Sequence, residues 1–113
     1  MDILSDTQLG GSLIQQTVLW KLLDVYDPEM GVNIVDMGLV YRIHVEPAAQ
    51  QLFIDMTLTS KACPMGKMIV LQVEETLKAG FPDMEIIVTL VWDPKWSIDR
   101  MSDAGKQQLG WEL

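Results

Sequence analysis

From Leu52 to Thr59 the chain alternates without a break: Leu52, Ile54, Met56 and Leu58 fall on one side, Phe53, Asp55, Thr57 and Thr59 on the other. Successive side chains of an extended backbone project to opposite faces, so the pattern predicts a strand. Met65, Ile69, Val73 and Leu77 then recur at helical spacing, with Gly80 as the stop, which predicts a helix from Pro64 to about Ala79. Pro82 and Asp83 turn the chain, and the β-branched stretch Glu85 to Trp92 predicts a further strand with Ile86, Val88, Leu90 and Trp92 on one face. Strand, helix and strand in direct succession favour a right-handed crossover that lays the last strand parallel to the first of the pair. No other feature narrows the fold as far.

The flanking segments complete an α-β-β-α-β order. Ser12 and Gln15 form a capping-box pattern ahead of Ile14, Val18, Leu19, Leu22, Leu23 and Val25, the apolar stripe of a first helix ending near Tyr26 because Pro28 disfavours helical geometry at Asp27. Leu39, Tyr41, Ile43 and Val45 alternate with Val40, Arg42, His44 and Glu46, and Glu46 to Gln50 reads as a hairpin loop into the Leu52 strand. The prediction is an α/β (α+β) two-layer sandwich, a small mixed sheet with both main helices on one face, with a short C-terminal helix opening near Ser102. Residues 1–11 read as a flexible lead and 12–113 as a single domain.

Composition excludes several classes of function. A net charge of -8, with only 8 Lys and Arg, argues against binding along a phosphate backbone. The acidic start, Met1-Asp2-Ile3-Leu4-Ser5-Asp6, has neither a basic segment nor a long apolar run, and no stretch is long enough to cross a membrane. A lone cysteine forms no internal disulfide, so a reducing cytoplasm is the expected compartment. The chain carries neither a Gly-rich phosphate loop ending in Lys-Ser/Thr nor a dinucleotide fingerprint.

That cysteine, Cys63, is the most reactive group available. Pro64 suits the first position of a helix and so places Cys63 at its N-cap, where unpaired N–H groups and the helix dipole favour thiolate; the alternative is a small buried apolar residue. Thr59 and Ser60 bring hydroxyls to the same junction, for an anion or simply for capping. Asp27 and Glu29 flank Pro28 in a turn, as hard ligands or as solvated acids, and Asp36 stands in an apolar stretch as a turn acceptor or a site carboxylate. Trp92 and Trp96 bracket a turn as interface anchors or as a lid on the core. His44 reads as a surface residue, and the eight methionines as core fillers. A closed zinc or iron-sulfur site needs about four soft ligands. With one thiolate per chain, a cluster would be transient, shared between chains or completed by a partner.

Four ordered segments read together resemble the SufT/PaaD-like family of metal-sulfur cluster biosynthesis factors. They are Asp27-Pro28-Glu29; Asn33-Ile34-Val35-Asp36-Met37-Gly38-Leu39-Val40-Tyr41; Met56-Thr57-Leu58-Thr59 with Cys63-Pro64; and Val91-Trp92-Asp93-Pro94 with Trp96, Met101 and Ser102. The resemblance covers about Leu13 to Gly110. It implies the iron-sulfur-assembly fold and a part in maturing iron-sulfur proteins. By position, the family's reactive cysteine matches Cys63, its site hydroxyls Thr59 and Ser60, its acidic motif Asp27 and Glu29, and its acid before the Gly-Leu-Val-Tyr strand Asp36. The PaaD branch, tied to phenylacetyl-CoA oxygenase, carries extra C-terminal cysteines that are missing here, and the P-loop ATPase fused to this domain in some carriers is missing too. A free-standing, SufT-like accessory is the implied branch.

The resulting expectation is a cytoplasmic, non-enzymatic factor that assembles iron-sulfur clusters or transfers them to apo-proteins, with Cys63 as a transient metal ligand. Its implied partners are iron-sulfur assembly proteins, carrier ATPases or apo-protein clients, with a homodimer as one way to share a cluster. Two rivals remain: an adaptor that docks machinery to clients through Trp92 and Trp96 with Cys63 structural, and a cysteine-dependent sulfur transferase.

Overall fold

The computed structural model describes residues 13–61 and 65–109. In chain order these form α1 (Leu13–Leu22), β1 (Tyr26–Asp27), β2 (Val32–Asn33), β3 (Val40–Glu46), β4 (Gln51–Met56), α2 (Gly66–Gly80), β5 (Glu85–Leu90) and α3 (Asp103–Gln108), with a single 3₁₀ turn at Ile98–Arg100. The expected lead at residues 1–11 lies outside them.

The main sheet has the order β3-β4-β5. β3 and β4 are antiparallel across the Pro47–Gln50 turn, and β5 returns through α2 to lie parallel to β4, with Leu52 opposite Ile86 and Ile54 opposite Val88. The parallel pairing is therefore the one the strand-helix-strand pattern predicts, and the mixed α/β architecture follows. α1 and α2 pack on each other, and they also meet β3 and β5 respectively. The even-numbered residues of β4, Leu52, Ile54 and Met56, are fully buried, as are Ile69, Val73 and Leu77 along one stripe of α2. The helical period of 3.6 and the strand period of 2 thus point into the same core. Truncating Ile54 to alanine there would cost about 2–5 kcal/mol. On the opposite sheet face sit Arg42, His44, Phe53 and Asp55, where the 3.8 Å Arg42–Asp55 pair is exposed enough to add little.

Several boundaries differ from the sequence expectation: β4 ends at Met56 and not at Thr59, β5 ends at Leu90 and not at Trp92, and the first helix ends early. The first helix stops at Leu22, not near Tyr26, because Leu23, Asp24 and Val25 donate to carbonyls only three residues back and tighten the chain into a turn. Val25 still reaches the core, but from that turn, and Ile14 is exposed rather than part of the buried stripe. The Ser12 cap lies outside the described residues. Tyr26–Asp27 then pairs with Val32–Asn33 as a two-residue antiparallel ribbon, so the Asp27–Gly31 turn is the tip of a hairpin. The second helix is described from Gly66, with Met65 as its N-cap, and the expected start at Pro64 with Cys63 as cap lies outside the described residues. A side chain at Gly66 would meet Leu58 Cδ1 at 2.5 Å, so this helix end rests directly on the end of the β4 chain. Among the described residues no helix is long and apolar enough to cross a membrane.

Candidate functional site

Beyond Met56 the β4 chain leaves the sheet and runs past the C-terminal end of β5. Parallel strands leave a crevice at their carboxyl ends, because the connections above them diverge. Here the crevice is a cleft of about 410 Å³ walled by Leu58, Thr59, Ser60, Lys61, Trp92, Lys95 and Trp96. Thr59, Ser60, Trp92 and Trp96, four of the residues singled out from sequence, therefore share one surface. Next to it lies a mostly apolar groove of about 350 Å³ between α2 and β5, lined by Leu58, Lys61, Gly66, Lys67, Val70, Leu90 and Trp92.

The cleft wall is held from several directions. Trp96 is partly buried against the core, and its indole Nε1 donates to the Met37 carbonyl at 2.7 Å. Gly38, the next residue, has φ +77° and lies against Arg100, whose carbonyl any side chain at this position would strike. Tyr41 donates its hydroxyl to the Pro94 carbonyl at 2.9 Å while Arg100 stacks over its ring at 4.7 Å. Desolvation pushes the Tyr41 phenol above its ordinary pKa, and the Arg100 charge offsets part of that rise. Lys61 Nζ stands 5.6 Å over the Trp92 ring. The tryptophans thus pack on the core and line the cleft together.

The acidic candidates lie elsewhere. Asp27, only 2% exposed, turns Oδ1 to the backbone N–H groups of Glu29 and Met30 at 2.9 and 3.3 Å, and its carbonyl accepts from Gly31. Glu29 is exposed on the hairpin tip. Asp36 accepts from Asn33 Nδ2 at 2.6 Å on one oxygen and from Ser102 Oγ at 2.7 Å on the other. Its backbone takes part as well: Asp36 N–H donates to Asn33 Oδ1, and its carbonyl accepts from Ser102 N–H. Ser102 in turn caps α3 by accepting from Gly105 N–H at 3.0 Å. None of the three acids lines the cleft or the groove.

Cys63, with Ala62 and Pro64, lies outside the described residues; its chain neighbours are Lys61 on the cleft wall and Met65 at the start of α2. Among the described residues no three of His, Asp, Glu and Cys converge as a cation site would require. His44 bonds Glu46 at 2.6 Å on the open face of the sheet. The lysines were missed by sequence reasoning. Lys61, Lys67 and Lys95 are three of the chain's 8 cationic side chains, and the fold gathers them at one end of the sheet. Their separation in sequence and the acidic total hid them, and only the helix period placing Lys67 on the first turn of α2 hinted at the cluster.

Against known proteins, the model of the family described as iron-sulfur cluster assembly protein matches residues 15–88. The Fe-S protein maturation auxiliary factor SufT of Staphylococcus aureus (strain USA300) is 45% identical over 87 residues, 76% of this chain and 97% of that protein. The Fe-S protein maturation auxiliary factor YitW of Bacillus subtilis (strain 168) is 39% identical over 98 residues, 86% and 94% of the two chains. Among solved structures, a domain of unknown function DUF59 from Bacillus anthracis superposes with a TM-score of 0.79 at 42% identity, covering 84% of this chain and 90% of that one.

Proposed function

Because the chain belongs to the iron-sulfur cluster assembly protein family, we propose that it is a non-enzymatic, cytoplasmic auxiliary factor in iron-sulfur protein maturation, with Cys63 as a transient ligand to cluster cargo. The observation that carries the reading is the placement of Thr59, Ser60 and Lys61 on the cleft from which the chain enters Cys63. Two hydroxyls and a cation suit the negative charge of a thiolate and of cluster sulfide, since hydrogen bonds and a nearby positive charge both favour the ionised sulfur. One thiolate leaves the rest of the cargo's coordination to a second molecule, which fits transfer better than storage. The natural partners are the assembly proteins or carrier ATPases that deliver a cluster and the apo-protein that accepts it, with a second copy of this chain as an alternative donor of the missing thiolate. Asp36 enters this reading as a residue that fixes the loop carrying Met37, and through Met37 the Trp96 wall, whereas Asp27 fixes the hairpin turn before it.

Anaerobic reconstitution with iron and sulfide tests it directly. The wild-type chain should acquire visible absorption that Cys63→Ser lacks, and cells carrying Cys63→Ser should mature iron-sulfur enzymes poorly when demand is high. Full maturation by Cys63→Ser removes the ligand role. Retained pull-down of assembly proteins by that variant, lost instead in Trp92→Ala, would favour an adaptor acting through Trp92 and Trp96, a reading supported by the place of both rings on the cleft wall.

A further inference from the structure

The sheet ends in two edge strands, β3 and β5, and on β3 the Gln15 side chain donates to the Ile43 carbonyl at 2.7 Å. In β5, Glu85 and Val91 donate to Gln50 and Met56 of the neighbouring chain, so the odd-numbered residues face β4 and the backbone groups of Ile86, Val88 and Leu90 face outward. Lys78 Nζ covers the Met84 carbonyl at 3.0 Å, and beyond it no hydrogen bond from the described residues reaches this edge. The strand reads Glu-Ile-Ile-Val-Thr-Leu, without the lysine, proline or bulge that commonly protects an edge from pairing. On the helix side the edge borders the apolar groove between α2 and β5, and Lys67 and Lys61 stand at its rim.

From these features we infer that the β5 edge and its groove form a docking site for an extended acidic peptide segment of a partner protein, which adds as a fourth strand beside β5. The backbone of Ile86, Val88 and Leu90 supplies the ladder. On the face of the added strand that turns to α2, apolar side chains enter the groove over Val70, Leu90 and Trp92, and acids further along that same face meet Lys61 and Lys67. Charge complementarity selects this occupant over a second copy. The chain carries -8 overall, so its own surface is mostly repelled by another copy, whereas the groove is one of the few places where its cations gather. None of the residues invoked here is Cys63, so the peptide site and the cargo role are tested by different variants.

The probe is a short capped fluorescent peptide with leucines and then glutamates at alternate positions and threonine between them, followed by anisotropy and by amide shifts of the labelled full chain. The wild type should bind it with the shifts centred on Ile86, Val88 and Leu90, and Cys63→Ser should bind it equally. Lys67→Glu, a change at an exposed position, should weaken binding about tenfold, the size of a rim charge reversed. A peptide N-methylated at alternate residues, which leaves the protein untouched, should lose binding. Equal binding of the N-methylated peptide overturns strand addition, and equal binding of a leucine-lysine peptide overturns the acidic partner. A chain that sediments as a dimer and resists peptide competition assigns the edge to a second copy and overturns the proposal.

Discussion

The two polar regions of this molecule use similar residues to opposite ends. In and against the loop from Asp27 to Asp36, two aspartates, Asn33 and the distant Ser102 bond one another and the backbone, holding the β1-β2 hairpin, the approach to β3 and α3 in place. In the cleft beyond β4, Thr59 and Ser60 make no hydrogen bond to the described residues, and their neighbours are two tryptophans and two lysines. A polar group consumed by the fold stabilises it and offers a ligand little. One left at a strand end contributes little to stability and remains available for chemistry.

Asp36→Ala should break this contrast hardest. It removes the acceptor for both Asn33 and Ser102, and charged acceptors in such pairs contribute about 1.5–3 kcal/mol. An unfolding free energy lower by about 2–3 kcal/mol, read as a lower denaturation midpoint with an unchanged slope, is expected, and iron-sulfur enzyme maturation should fall only as folded protein falls. If the variant denatures like wild type and still fails in maturation, Asp36 acts at the site and the division between the two regions is wrong. Asp27→Ala comes next. Two backbone N–H groups on a tight hairpin lose their partner, for about 1–2 kcal/mol by the same measurement.

How far the two regions could be read in advance follows from what each depends on. The strand-helix-strand pattern of Leu52 to Trp92 is local periodicity, and it led correctly to the parallel β4-β5 pair and to α2. Ser102 was legible as a helix start because capping is also local. The ladder of Asp36 was not. Its partners lie three residues back at Asn33 and far along the chain at Ser102, so only the third dimension joins them. The end of α1 was misjudged for a related reason: Val25 continues the helical stripe in sequence but is buried from a turn. The strand-to-helix junction brought Thr59 and Ser60 into view, whereas the tryptophan walls joined them only when β4 and β5 were set side by side.

Trp96→Phe separates the cleft wall from its support. It keeps the ring against the core but loses the Nε1 bond to the Met37 carbonyl, for about 1 kcal/mol at the denaturation midpoint. Phenylalanine cannot restore that bond, so intrinsic fluorescence should still report a folded chain while the Pro94–Trp96 turn becomes looser in amide exchange.

The smallest stability effect belongs to Thr59→Ala with Ser60→Ala, and it is the sharpest test of the comparison. Neither hydroxyl bonds a described residue and Ser60 is exposed, so the pair should denature within about 0.5 kcal/mol of wild type. Maturation of iron-sulfur enzymes, normalised to the amount of folded protein, should nonetheless drop, because hydroxyl donors beside a thiolate act on the charge that cargo brings and not on the fold. Loss of stability with intact maturation would reverse the assignment, making Thr59 and Ser60 part of the scaffold and leaving Lys61 and the tryptophans as the functional wall of the cleft.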